Sequence, residues 1–236
     1  MRNILLIVTN TAAYASGNYK TGLWLSELTH MYHVLKEKGH TVTIASPKGG
    51  NVPVDPESLK GYALDKISKA CWNDPDFRGL LAHSQKLENV SGQPFDLMYL
   101  AGGHGTMYDF PDDRLMQQTI AAHYENGKML AAICHGLGGL LNVKQANGEY
   151  LIRNKTLTGF SWFEERLANR RKEVPFNLEA ALKSRGARYK KSILPLTSHV
   201  EVHGNLITGQ NPFSSKETAR VIMNELEKTT PNHSKP

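Results

Sequence analysis

The opening stretch of the chain does most to limit what it can fold into. Asn3 to Thr9 is a short run of Ile, Leu and Val that ends in Asn10-Thr11. Such a run reads as a strand buried on both faces. Thr21 to Lys38 then shows helical spacing, with Trp24, Leu28, Met31 and Leu35 on one face and Gly39 where a C′ glycine belongs. His40 to Ser46 alternates as a second strand, and Pro47-Lys48-Gly49-Gly50 breaks it. Strand, helix and strand in such short order make a βαβ unit, which implies a parallel sheet.

The rest of the chain extends that sheet. Residues 51–94 are rich in turn formers, with helical patches around Leu64–Ala70 and Phe77–Leu87, and they are expected to form an insertion or cap against the main sheet. Phe95 to Leu100 is another apolar strand and runs straight into Ala101-Gly102-Gly103-His104-Gly105. Asp112 to Gly127 is expected to be a helix with Leu115, Ile120 and Tyr124 inward. Lys128 to Ile133 is a strand, and Cys134-His135-Gly136 opens the next helix. His199 to Val202 and Leu206 to Thr208 flank Gly204-Asn205 as a hairpin, and a last helix spans roughly Ser214 to Lys228. The expected architecture is one α/β domain over residues 1–228, a doubly wound, mostly parallel, flavodoxin-like sheet with the 51–94 cap, followed by a disordered tail at 229–236.

Composition narrows the class. A chain of 236 residues with 40% hydrophobic and 21% charged residues can bury a sizeable core. Its 2 cysteines cannot build a disulfide framework or complete a four-cysteine zinc site by themselves. No apolar run approaches the roughly 18–20 residues of a membrane span, and Met1 to Val8 is too short for a signal peptide, so a cytoplasmic protein is expected, with no membrane partner. The net charge of +6 comes largely from Arg166 to Lys191. No nucleic-acid motif stands beside it, so these charges read as a solvated helical face and no nucleic-acid partner is expected.

The strongest chemical signal is Ala132-Ile133-Cys134-His135-Gly136. A buried strand delivers the cysteine to its carboxyl end, small neighbours permit a sharp strand-to-helix elbow, and a helix N-terminus favours thiolate. Cys71, with no elbow around it, reads as structural. Glu27 lies at the edge of the apolar stripe of the first helix, either as a surface side chain or as a protonated partner for the cysteine. Gly102-Gly103-His104-Gly105 is either an ordinary turn or a loop that brings a backbone N–H to a reacting carbonyl oxygen. Glu164-Glu165 begin a helix, either for dipole reasons or with one carboxylate aimed at a histidine. His199, Glu201 and His203 share one face of a strand, as the polar half of an alternation, a metal patch, or part of a glutaminase triad.

The cysteine elbow and the Gly-Gly-His-Gly turn, with Lys20-Thr21-Gly22-Leu23-Trp24-Leu25-Ser26-Glu27-Leu28, Ala45-Ser46-Pro47-Lys48-Gly49-Gly50, Leu157-Thr158-Gly159-Phe160 and Leu206-Ile207-Thr208-Gly209-Gln210-Asn211-Pro212, resemble the ThiJ/PfpI family. That family belongs to the class I glutamine amidotransferase-like superfamily, and the resemblance is to its heat-inducible glyoxalase III and chaperone branch. It implies that Cys134 is the nucleophile, that Glu27 hydrogen-bonds to it, and that His135 is oriented by Glu165, with Glu164 the second choice. It further implies an oxyanion hole from the backbone N–H groups of Gly103 and His135, with His104 and Trp162 against the substrate. Trp162-Phe163 stand where smaller or polar residues are expected, which bears on pocket shape. The implied activity converts methylglyoxal and water to D-lactate without glutathione, metal or organic cofactor, in a homodimer with possible chaperone activity. Alternatives are a holding chaperone, a redox sensor, or a cysteine-dependent amidotransferase, peptidase or deglycase.

Overall fold

The computed structural model describes residues 1–228. The tail expected at 229–236 lies outside the described residues. In chain order, the strands are β1 (Asn3–Ile7), β2 (Thr41–Ser46), β3 (Gln85–Lys86), β4 (Leu97–Leu100), β5 (Met129–Ile133), β6 (Thr156–Leu157), β7 (Arg188–Tyr189), β8 (Val200–His203) and β9 (Leu206–Gly209). The helices are α1 (Leu25–Glu37), α2 (Lys66–Asn73), α3 (Pro75–Ala82), α4 (Leu87–Val90), α5 (Thr106–Asp109), α6 (Arg114–Glu125), α7 (Trp162–Leu167), α8 (Leu178–Ser184) and α9 (Ser215–Lys228).

Seven strands form the main sheet in the order β3-β2-β1-β4-β5-β9-β8. All pairs in it are parallel except β8–β9, the hairpin read from Gly204-Asn205. The chain enters in the middle, winds outward to β3, then crosses to β4 on the other side of β1. The switch point therefore lies between β1 and β4, and ligands of open α/β sheets bind outside the carboxyl ends at such points.

The unbroken apolar run of β1 is explained by its two covered faces. Ile4, Leu6 and Val8 join the core under α1 and α9, with Leu28, Met31 and Ile222. Leu5 and Ile7 join the opposite core, with Ile120, Leu140 and Leu178. Helices on both sides make the sheet doubly wound, as expected.

Several details differ from the sequence reading. The first helix begins at Leu25 rather than Thr21, because Gly22 (φ +154°) and extended Trp24 carry the chain past the cap, where the Leu23 N–H donates to the Pro53 carbonyl at 2.8 Å. Residues 51–94 do more than cap the sheet. They hold α2 and α3 against α1, but Gln85–Lys86 also joins the sheet edge beside β2. In α6, Met116 joins Ile120 as a buried hydrophobic, while Leu115 and Tyr124, also expected inward, are half-buried against the same core. The segment after Cys134 is a 3-10 helix over Cys134–Leu140. The basic residues do not share a helical face: Arg171 stacks on Trp162 and donates to its carbonyl, Arg170 lies over Tyr14 and Tyr19, and Lys191 pairs with Glu179.

Candidate active site

Three strand ends converge at the switch point. β1 leads through a loop into α1 and Glu27, β4 ends at Gly102-Gly103, and β5 delivers Cys134. Cys134 has φ +57°, a left-handed conformation that costs a non-glycine residue roughly 1–3 kcal/mol. The elbow leaves no room for a side chain at Gly136 or at the facing Gly102. A Cβ on Gly136 would lie 2.5 Å from the Leu100 carbonyl oxygen. One on Gly102 would lie 2.3 Å from Glu27 Oε2 and 3.0 Å from Cys134 Cβ. The missing side chain of Gly102 is thus what lets the Glu27 carboxyl approach the cysteine.

Glu27 is fully buried, and neither carboxyl oxygen has a hydrogen bond of good geometry. Its nearest polar neighbours are the Cys134 thiol and the Gly102 N–H. Burial pushes its pKa up to about 8, against the weaker pull of those two groups. Glu27 therefore carries a proton at neutral pH, which is the state the sequence reading required of a donor to sulfur. The thiol itself goes the opposite way from the expected thiolate. Burial pushes Cys134 up, and an ionised Glu27 pushes it further. A 3-10 turn gives little dipole to oppose this. The thiol and the carboxyl are coupled, so the sulfur loses its proton most readily while Glu27 keeps its own.

His135 stands between the cysteine and a carboxylate. Its Nδ1 is 3.3 Å from Cys134 Sγ, and its Nε2 is 2.8 Å from Glu165 Oε2. The other carboxylate oxygen, Oε1, is 2.8 Å from His104 Nε2. Burial opposes ionisation of Glu165, but the two histidines hold its pKa well below the usual carboxylate range. A carboxylate can only accept, so both Nε2 atoms donate and His135 Nδ1 is left as the acceptor facing the thiol. Burial, then the nearby His104, lowers the His135 pKa to about 4, so the imidazole is neutral at pH 7. Phe160 packs on the ring at a centroid distance of 4.5 Å and holds its plane.

The two candidate acids separate cleanly. Ser161 caps α7, and Glu164 closes the capping box by accepting from the Ser161 N–H and hydroxyl. Glu164 also accepts from the Leu196 N–H, Gln210 Nε2 and Asn211 Nδ2 at 2.7–3.0 Å. Glu165, one position on, is the one that reaches the histidines. The same cap turns Trp162 away: its N–H donates to Glu179 and its ring lies under Arg171. Trp162, expected against the substrate, is absent from the cavity lining, whereas His104 is present. The apolar walls come instead from Trp24 and Phe160.

The cavity holds about 350 Å³, with Cys134, His135, His104 and Gly103 at its base. Among the described residues no carbonyl accepts from the Gly103 N–H, and the His135 N–H faces the Cys134 sulfur. The His135 N–H thus lies at the sulfur, and Gly103 lines the same cavity with its N–H unclaimed by a carbonyl. His199, just before β8, pairs with Glu201 on it at 3.0 Å, and neither lines the cavity. His203 Nδ1 accepts from the Thr156 N–H. The hairpin histidines are therefore structural polar groups, remote from the cysteine. Cys71 is buried among core side chains, and burial pushes its thiol up to about 11. The sequence reading missed His30, which lines the cavity and pairs with Asp65 at 2.5 Å. Its spacing of one helical turn from Glu27 is the signal that could have found it. His104, His135 and Glu165 also stand close enough to hold a metal ion, but the carboxylate and both Nε2 atoms are already spent on each other.

A parallel α/β sheet that presents a cysteine on a strained elbow at its switch point, backed by a histidine and a carboxylate, defines a class of cysteine-elbow proteins. More particularly, the chain belongs to the DJ-1/PfpI family, whose pattern matches residues 20–225. It is similar to the glutathione-independent glyoxalase hsp3102 of Schizosaccharomyces pombe, at 29% identity over 95% of this chain and 98% of that protein. Among solved structures, glyoxalase III of Candida albicans superposes with a TM-score of 0.85 at 26% identity, covering 94% of this chain and 96% of that one. The Rapid Encystment Protein 24 KDa of Francisella tularensis does so with a TM-score of 0.91 at 37% identity, covering 96% and 99%.

Proposed function

We propose that the protein is a glutathione-independent glyoxalase that converts methylglyoxal and water to D-lactate, using Cys134 as its own thiol. The observation that carries this is the pairing of a buried cysteine with a neutral histidine base on one side and a protonated carboxyl on the other. A protease or amidase needs only the first of these. A reaction that moves hydrogen between adjacent carbons needs the second as well. The likeness to relatives named as glutathione-independent glyoxalases, which extends over nearly the whole chain, supports the same reading.

The thiol proton passes to His135 Nδ1 as the sulfur adds to the aldehyde carbon. The resulting oxyanion lies between the N–H groups of Gly103 and His135, and protonation there gives a hemithioacetal. His135, neutral again once it has protonated the oxyanion, removes the hydrogen of the former aldehyde carbon while Glu27 gives its proton to the neighbouring carbonyl oxygen, forming an enediol. His135 then returns the proton to that neighbouring carbon as Glu27 takes one back from the hydroxyl beside sulfur, leaving a lactoyl thioester. Water cleaves that thioester, releasing lactate and restoring the thiol. Hydrogen lost at one carbon is gained at its neighbour, so no outside oxidant or reductant is consumed. A homodimer, implied by the sequence resemblance, and a cytoplasmic setting, expected from the composition, belong to the same proposal, and sedimentation of the purified protein tests the first. The test of the activity is methylglyoxal consumption without added thiol. Cys134→Ala should abolish it, while His199→Ala should leave it intact. Loss with His199→Ala would point to the glutaminase arrangement instead.

A further inference from the structure

The cavity is large and apolar for a three-carbon aldehyde. At about 350 Å³ it falls in the range that holds far bigger ligands. Its base is polar, but beside the exposed Lys216 its mouth carries Tyr62, Leu167, Leu196 and Phe213. The last four are large apolar side chains that the fold leaves exposed, Tyr62 to 82%. They come from four separate places: the cap, the end of α7, the loop before β8, and the turn before α9. Tyr62 and Phe213 face each other, nearly parallel at 9°, with centroids 6.0 Å apart. Leu196 is held at φ +57°, with its N–H on buried Glu164. Exposed apolar groups gathered from distant segments around one opening mark a binding surface rather than scattered surface residues.

Resting on the glyoxalase reading, we infer that this collar is a subsite for a bulky apolar substituent, and that aryl- and long-chain alkyl-substituted 2-oxoaldehydes are better substrates than methylglyoxal. The occupant follows from continuity: the collar opens onto Cys134 through the walls formed by Trp24 and Phe160. A 2-oxoaldehyde seated with its aldehyde carbon at the sulfur must point its other substituent outward along those walls. For phenylglyoxal the chemistry is unchanged. Sulfur adds to the aldehyde carbon, its hydrogen moves to the neighbouring carbon, and water releases mandelate.

The test compares phenylglyoxal with methylglyoxal in the wild type and in a Tyr62→Ser/Phe213→Ser variant, and measures binding of mandelate and lactate to Cys134→Ala by calorimetry. The wild type should favour phenylglyoxal in kcat/KM by at least about tenfold, since even small apolar groups in a fitted pocket discriminate by such factors. The double variant should lose most of that ratio, and mandelate should bind at least about tenfold more tightly than lactate. If methylglyoxal is turned over but phenylglyoxal is no better, or the ratio ignores the two rings, the collar proposal is overturned and the glyoxalase reading stands. If neither aldehyde is turned over yet mandelate binds more tightly than lactate, the glyoxalase reading fails and the apolar subsite stands.

Discussion

Replacing Glu27 with glutamine separates what this carboxyl does for stability from what it does for chemistry. Burial raises its pKa from 4.5 to about 8 in the folded protein. Folded chains therefore keep a proton that unfolded chains release as the pH climbs above about 4.5. The unfolded state gains free energy from that release, so stability is intact below pH 4.5, declines as the pH rises, and has lost its full share above about pH 8. At about pH 7 the accumulated loss is on the order of 3 kcal/mol. Glutamine fills nearly the same volume and does not ionise. Glu27→Gln should thus be about 2–3 kcal/mol more stable than the wild type near pH 7 and no more stable near pH 4.5, while its turnover drops by about 100-fold or more. Urea unfolding at four or five pH values, with turnover measured on the same preparations, checks both halves. A stability difference independent of pH would refute the buried, protonated carboxyl. Unchanged turnover would remove Glu27 from the chemistry.

Turnover should follow a bell in pH, rising as His135 loses its proton near pH 4 and falling as Glu27 ionises near pH 8, and Glu27→Gln should erase the alkaline fall. Gly102→Ala places a Cβ 2.3 Å from Glu27 Oε2 and should cost about 100-fold in kcat/KM, whereas Gly92→Ala, with no atom within 4 Å, should be silent. Glu165→Gln should remove turnover and lower stability by about 1–2 kcal/mol, because its amide NH₂ cannot accept from one of the two histidines. Glu164→Gln should lower stability by about 2–4 kcal/mol, because an amide NH₂ cannot accept from the donors gathered there. Equal effects of the last two variants on both properties would contradict their separate roles.

The sequence made the elbow legible because its requirements are local. Cys134 needs a buried strand before it and small residues around it, and all of these are neighbours in the chain. Glu27 is only half legible: a helical wheel shows a carboxylate beside an apolar stripe but does not decide between solvent and the cysteine. The preference for Glu165 over Glu164 rests on the resemblance, although the residues carry a deciding signal: Ser161 three residues before Glu164 is a capping box, and it commits that carboxylate to the helix end. The same cap turns Trp162 from the cavity. What could not be read is what chain-distant segments build together. His104 sharing Glu165 with His135 depends on how β4 and α7 meet, and Tyr62 facing Phe213 depends on where the cap folds back. The thiol was expected to be shifted down by a helix terminus. A dipole argument is visible in a sequence, but burial beside a second acid is not.

The most direct measurement counts lactate formed per molecule of protein, with its enantiomer resolved, from methylglyoxal in the absence of any added thiol. The account predicts many equivalents of D-lactate from the wild type and none from Cys134→Ala. Consumption of one equivalent or less, with Cys134 left permanently modified and no lactate released, would contradict it.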